Sequence, residues 1–125
     1  MNLKKQVLTM VLAGGLASNA VLASDDEHFE GKNPVSFAEA QAFMAEYNAK
    51  LAAIVEDGKV TPAEMGEVHK LTYTLENSLE RMEEEMERIE EVLEEVHQGS
   101  EHGEYEAVLK NARQYLQDSS VLLGK

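Results

Sequence analysis

Between Thr61 and His97 the apolar residues return every three or four positions: Met65, Val68, Thr72, Leu75, Leu79, Met82, Met86, Ile89, Leu93 and Val96, with Thr72 the one polar member. A spacing held this long keeps one seam on one side of a single helix, as in a coiled coil or helical bundle. Thr61, Pro62 and Glu64 mark its start as N-cap, first-turn proline and capping-box glutamate, and Val60 is placed to close over Met65. Gly99, just past His97, is the expected stop. A helix over 62–97 would be about 54 Å long.

Shorter helices are expected on both sides. Ser36 and Glu39 form a capping box after Pro34. Ala40, Phe43, Met44, Tyr47, Leu51, Ile54 and Val55 then share one face, and Gly58 ends a helix over about 36–57. Tyr105, Leu109, Ala112, Leu116, Ser119 and Leu123, widened by Val108 and Leu122, mark a third helix over about 103–122. Links this short make sequential helices antiparallel neighbours. The expected fold is all-α: an elongated antiparallel three-helix bundle over 36–125 with a long central helix. The flanking helices should overlap only near Asn77–Arg81, leaving two-helix ends that bury little surface. An antiparallel homodimer would fill those ends.

The segment before the helices reads differently. Residues 1–23 have the form of a secretory signal peptide: Lys4 and Lys5, an apolar run from Val7 to Leu16, and Val21-Leu22-Ala23 as the cleavage site. The apolar run is short and followed by Ser18 and Asn19, so it is a poor spanning helix. Residues 24–35, acidic and containing Gly31 and Pro34, read as a flexible acidic arm. His28 is at position five after that cleavage, which is the wrong place for an amino-terminal copper or nickel motif.

Charge narrows the partners. The 125-residue chain has a formal net charge of −13, and without residues 1–23 nine basic residues face twenty-four acidic ones, a net −15. Such a surface repels phosphate backbones and anionic headgroups, so no nucleic acid is expected, nor a membrane once the signal is removed. A basic protein and a second copy remain as partners. The chain has no cysteine, which excludes disulfides, thiolate metal sites and a lipidated cysteine.

Candidate sites are few. Glu83-Glu84-Glu85, Glu87, Glu90-Glu91 and Glu94-Glu95 crowd the second half of the long helix, but the apolar seam holds the inward positions that a carboxylate metal centre would need. His69, Tyr73 and Asn77 lie four apart, and an antiparallel hairpin brings Tyr47 and Asn48 opposite. A polar cluster between the first two helices is therefore expected, as a register-fixing network or a small-ligand site. His97 and His102, with Glu94 and Glu101, could hold zinc or copper. Met44, Met65 and Met82 with His69 are the candidate axial ligands for a b-type haem. Asp57-Gly58-Lys59-Val60 followed by Glu64 has the outline of half an EF-hand loop, but Ala53 and Val55 stand where its first carboxylates belong. No convergent nucleophile or acid–base pair is present, so an enzyme is not expected, and no cofactor is assigned.

Tyr47-Asn48-Ala49-Lys50-Leu51, His69-Lys70-Leu71-Thr72-Tyr73-Thr74-Leu75-Glu76-Asn77 and Glu95-Val96-His97 resemble a family of short exported bacterial proteins to which no activity is assigned. The resemblance implies an exported helical plan over nearly the whole mature chain, and no mechanism. The outline is also similar to small periplasmic b-type cytochromes and helical stress proteins, but the C-terminal histidine ligand of those cytochromes has no counterpart in the third helix. The expected protein is a periplasmic or secreted acidic helical binding or structural module, the alternative being a metal- or b-type haem-binding bundle. Export predicts a mature chain beginning at Ser24. Intact-mass measurement of exported material should give that species, and retention of residues 1–23 would refute it.

Overall fold

The structure is a computed structural model that describes residues 29–125. The expected signal segment, its expected cleavage site and His28 lie outside the described residues. Three α-helices follow one another, α1 (Phe37–Val55), α2 (Pro62–His102) and α3 (Tyr105–Ser119), and a short 3₁₀ turn spans Ser120–Leu123. Among the described residues there is no strand.

The helix starts are where their side chains can satisfy the free backbone N–H groups. Ser36 Oγ accepts from Glu39 N at 3.2 Å, and the Glu39 carboxylate accepts from Val35 N at 2.7 Å. At α2 the box is reciprocal: Thr61 Oγ1 accepts from Glu64 N at 3.3 Å and Glu64 accepts from Thr61 N at 2.7 Å. The Thr61 backbone and hydroxyl hold the Glu64 carboxyl below its ordinary pKa. Between them Gly58 turns with φ +72°, and Asp57 accepts from Lys59 N at 2.9 Å. That is a local turn, with its one carboxylate already used on the backbone.

Helix α2 does not stop at Gly99. It runs on to His102, 41 residues and about 60 Å in all, and ends at Gly103 in the left-handed conformation, φ +67°. Gly99 serves packing instead. It is buried, and a Cβ there would meet Val108 Cγ2 at 3.0 Å. Its missing side chain lets α3 approach α2 closely. The link is thereby shortened to Gly103 and Glu104, and α3 starts at Tyr105 with no side-chain cap.

Both flanking helices run antiparallel to α2. Val35, just before α1, puts its carbonyl 2.9 Å from Arg81 Nη2, while Ile54 at the other end shares a hollow with Lys70 and Leu71. Val108 lies over Gly99, and Asp118 reaches Arg88 at 3.0 Å. α1 and α3 therefore lie one after the other along α2. The expected overlap around Asn77–Arg81 is absent because the α-helical part of α3 ends at Ser119, level with Arg88.

The face of α2 that is covered is turned away from the centre of the apolar seam. Leu71, Thr74, Ser78, Ile89 and Gly99 are buried, whereas Met65, Leu79, Met86 and Leu93 are 59, 54, 53 and 43 % exposed. Small residues explain the shift. Thr74, Ser78 and Gly99 allow backbones to close in, and Ala40 of α1 is fully buried. Close packing gains more dispersion contact than a loose seam of long side chains. The stripe of α3 is turned the same way: Val108, Ala112, Tyr115 and Ser119 are half-buried, while Tyr105, Leu109, Leu116 and Leu123 face out.

The two helical glycines of α2 should respond oppositely to substitution. An added Cβ at Gly66 meets nothing within 4 Å, so Gly66→Ala should stabilise by about 0.5–1 kcal/mol through helix propensity. Gly99→Leu should destabilise by about 1–3 kcal/mol by forcing α3 outwards. Denaturant melts of the two variants check the pair.

Candidate functional site

The first half of α2 presents a polar row, and the structure shows what it holds. Tyr73 Oη lies 3.3 Å from His69 Nε2, with the two rings edge to face. Asn77 Nδ2 donates to two backbone carbonyls, Glu30 at 3.0 Å and Lys32 at 3.1 Å. Thr74 Oγ1 accepts from Lys32 N at 3.0 Å, and Ser78 Oγ donates to the Thr74 carbonyl at 2.7 Å. The row therefore grips residues 29–35, which lie docked along α2.

This corrects two expectations. The polar cluster faces the N-terminal arm and not α1, and residues 29–35, more than half of that arm, are held in place. Gly31 makes the docking feasible: it sits at φ +72°, and a Cβ there would come within 2.9 Å of Thr74 N and Tyr73 Cβ. Pro34 is buried, and the Phe29 ring lies 6.0 Å from that of Tyr73. Lys32 ties the arm to α1 as well. Its ammonium is 5.1 Å from the Phe43 ring centroid, 5.3 Å from that of Tyr47 and 3.5 Å from Glu46.

Tyr47 and Asn48 part company with His69, Tyr73 and Asn77. Tyr47 is buried under α1 with Lys50 4.3 Å from its ring, while Asn48 is exposed. Tyr47, Lys50, Ile54, Lys70, Leu71 and Phe29 line an open hollow of about 480 Å³. Two ammonium groups beside an apolar floor would suit an anion, but Lys50 is paired with Glu46 at 2.6 Å and Glu67 stands in the rim. The hollow thus carries no net positive charge. Thr74 and Ser78 are not singled out by the sequence pattern, and Gly31 reads there only as a mark of a flexible arm. The i, i+4 pair of small polar residues on the flank of the seam was the available signal.

At the far end of α2, His97 Nε2 is 3.3 Å from Glu101 Oε1, and His102 Nδ1 faces the Gln98 carbonyl at 2.7 Å. Glu94 accepts from Gln98 at 3.0 Å. Among the described residues no three His, Asp or Glu side chains gather as a metal-binding group. The acidic second half is held by ion pairs across its surface. Arg88 bridges Glu85 at 2.5 Å and Asp118 at 3.0 Å. These acids, Glu85 first, raise the Arg88 pKa. Gln114 and then Arg88 lower that of Asp118. Any stabilisation by the Asp118 pair is therefore present above the ordinary aspartate pKa and lost as pH falls through the depressed one.

Compared with known families, residues 1–124 match a family of unknown function, DUF6746. The chain belongs to that family. No curated protein and no solved structure matches it. Among the described residues no helix is long and apolar enough to cross a membrane.

The docked arm gives a direct test. Asn77→Ala removes two hydrogen bonds and should cost about 1 kcal/mol. Gly31→Ala should undock the arm altogether and abolish hydrogen-exchange protection of the Lys32 amide, with helix content otherwise kept. Unchanged protection of that amide in Gly31→Ala would refute the docking.

Proposed function

We propose that the chain is an exported, acidic interaction module: residues 1–23 direct it out of the cytoplasm and are removed, and the helical part binds or scaffolds in the periplasm or beyond. It carries out no catalysis in this reading. The observation that carries it is the outward apolar column on α2. Met65, Leu79, Met86 and Leu93 stand seven residues apart, with Thr72 completing the series, and each of the four is about half exposed. An apolar column of this length, interrupted only by Thr72, is costly to leave in water on a strongly charged chain and is the form a helix-binding surface takes. The three helices supply a rigid support, because α2 is braced by the arm and α1 in one half and by α3 in the other.

The polar row of His69, Tyr73, Thr74 and Asn77 acts in this reading as a clamp. It fixes the arm and the register of α1, and leaves the apolar column clear. The glutamates that border the column keep the module soluble and select against anionic partners.

The reading is tested by placing a photo-crosslinking residue at Leu93 or Leu116, and at Glu91 as a control on the solvated face, in cells that export the protein. Crosslinked protein species should form from positions 93 and 116 and not from 91. Equal or absent crosslinking at all three would overturn the module.

A further inference from the structure

Helix α2 leaves Leu79, Met86 and Leu93 outward at seven-residue intervals, and α3 leaves Leu109, Leu116 and Leu123 outward at the same interval. The Arg88–Asp118 pair closes one edge of the α2–α3 contact. At 3.6 residues per turn, the α2 column and the α3 column both fall on the opposite edge. There they meet: Ser100, the position one heptad after Leu93, lines a cleft together with Tyr105, Leu109 and Ala112. The two helices thus present one joint apolar face to solvent.

We infer that this face is the docking surface for a second copy of the chain, the two α2–α3 hairpins packing face to face about a two-fold axis into a four-helix assembly. The inference rests on the interaction-module reading and names its partner. Three observations choose a second copy over a single foreign helix. Both columns keep the seven-residue repeat, the condition under which helices of two copies interdigitate side chains along their length. The charge on the two edges is opposite. Glu83, Glu87 and Glu90 border the groove floored by Leu79, Met82 and Met86 on α2, whereas the outer side of α3 carries Lys110 and Arg113 against the single Glu106 and is net positive. A two-fold axis lying in the face parallel to the helices sets the acidic α2 edge of each copy against the net positive α3 edge of the other. A lone basic helix would satisfy the first edge and be repelled by the second. The size also fits. A face about 22 Å long, the length of α3, and about 20 Å wide buries roughly 500 Å² on each copy, at the lower limit for a specific dimer.

Analytical ultracentrifugation of the mature chain tests this, with Leu116→Glu, Arg113→Glu and, as control, Glu91→Gln. Leu116 is 67 % exposed in the single chain, so its substitution leaves the helices folded, which circular dichroism verifies. The expected result is a dimer that tightens between about 0.02 and 0.15 M salt as the overall repulsion is screened. Leu116→Glu should weaken it by about 100-fold, Arg113→Glu by about tenfold, and Glu91→Gln not at all. A monomer at all concentrations up to about 1 mM, or a dimer indifferent to Leu116→Glu, overturns the second copy. The two failures are told apart by crosslinking from Leu116 in cells: heterologous products with a monomeric chain leave the module reading standing, and no products remove both.

Discussion

Everything in this structure answers to the length of α2. A single helix of about 60 Å carries apolar residues along its whole extent, and neither flanking helix is long enough to cover it. α1 has 19 residues and α3 has 15, and they lie in succession on the same side. α3 meets α2 where Gly99 lets the backbones close in, and in the other half Thr74 makes room for the docked arm. That choice of side fixes what remains uncovered. The close contacts take one flank of the seam, and the longer side chains of the other flank, Leu79, Met86 and Leu93 among them, are left facing water.

The two halves solve the problem of stabilising a two-helix hairpin differently. In the first half an additional strip of chain is recruited. Residues 29–35 lie along α2, pinned through their backbone by Asn77 and Thr74 and through Lys32 to the rings of Phe43 and Tyr47. The polar row on α2 is a clamp for peptide backbone, and its hydrogen bonds are local substitutes for the apolar contacts that a third helix would have made. In the second half no such strip is present among the described residues. Arg88 draws Glu85 and Asp118 together at one edge, an exposed pair arrangement that orients α3 more than it stabilises it. The other edge is open and apolar, and this asymmetry is why the proposed interaction surface is placed there.

Charge and function are linked through the same geometry. Most glutamates of α2 lie outside the buried flank and border the exposed column, while the half-buried Glu85 is paired by Arg88. A surface of this kind combines apolar attraction with a strong preference about the charge of what approaches. The proposed role in recognition draws on that combination. The shifted groups among the described residues, Glu46, Lys50, Glu64, Arg88 and Asp118, owe their shifts to ion pairs, hydrogen bonds and a helix cap.

The sequence by itself determined the three helices, the caps at Ser36 and Thr61 and the turn at Gly58, because each depends on a few neighbouring residues and a repeat of three or four. It also determined the acidity and the absence of disulfides. Which side of α2 would be covered was decided only by the tertiary structure. A seam of alternating three and four offers two flanks of nearly equal hydrophobicity, and the choice fell to how closely backbones could approach at Thr74, Ser78 and Gly99. The same close approach carried α2 through Gly99 to Gly103, since a glycine reads as a stop locally and as a contact point once Val108 lies against it. The polar row of His69, Tyr73 and Asn77 was legible as a row, but its occupant was not. The hydrogen bonds it makes go to the carbonyls of Glu30 and Lys32, and backbone groups carry no signature in the sequence.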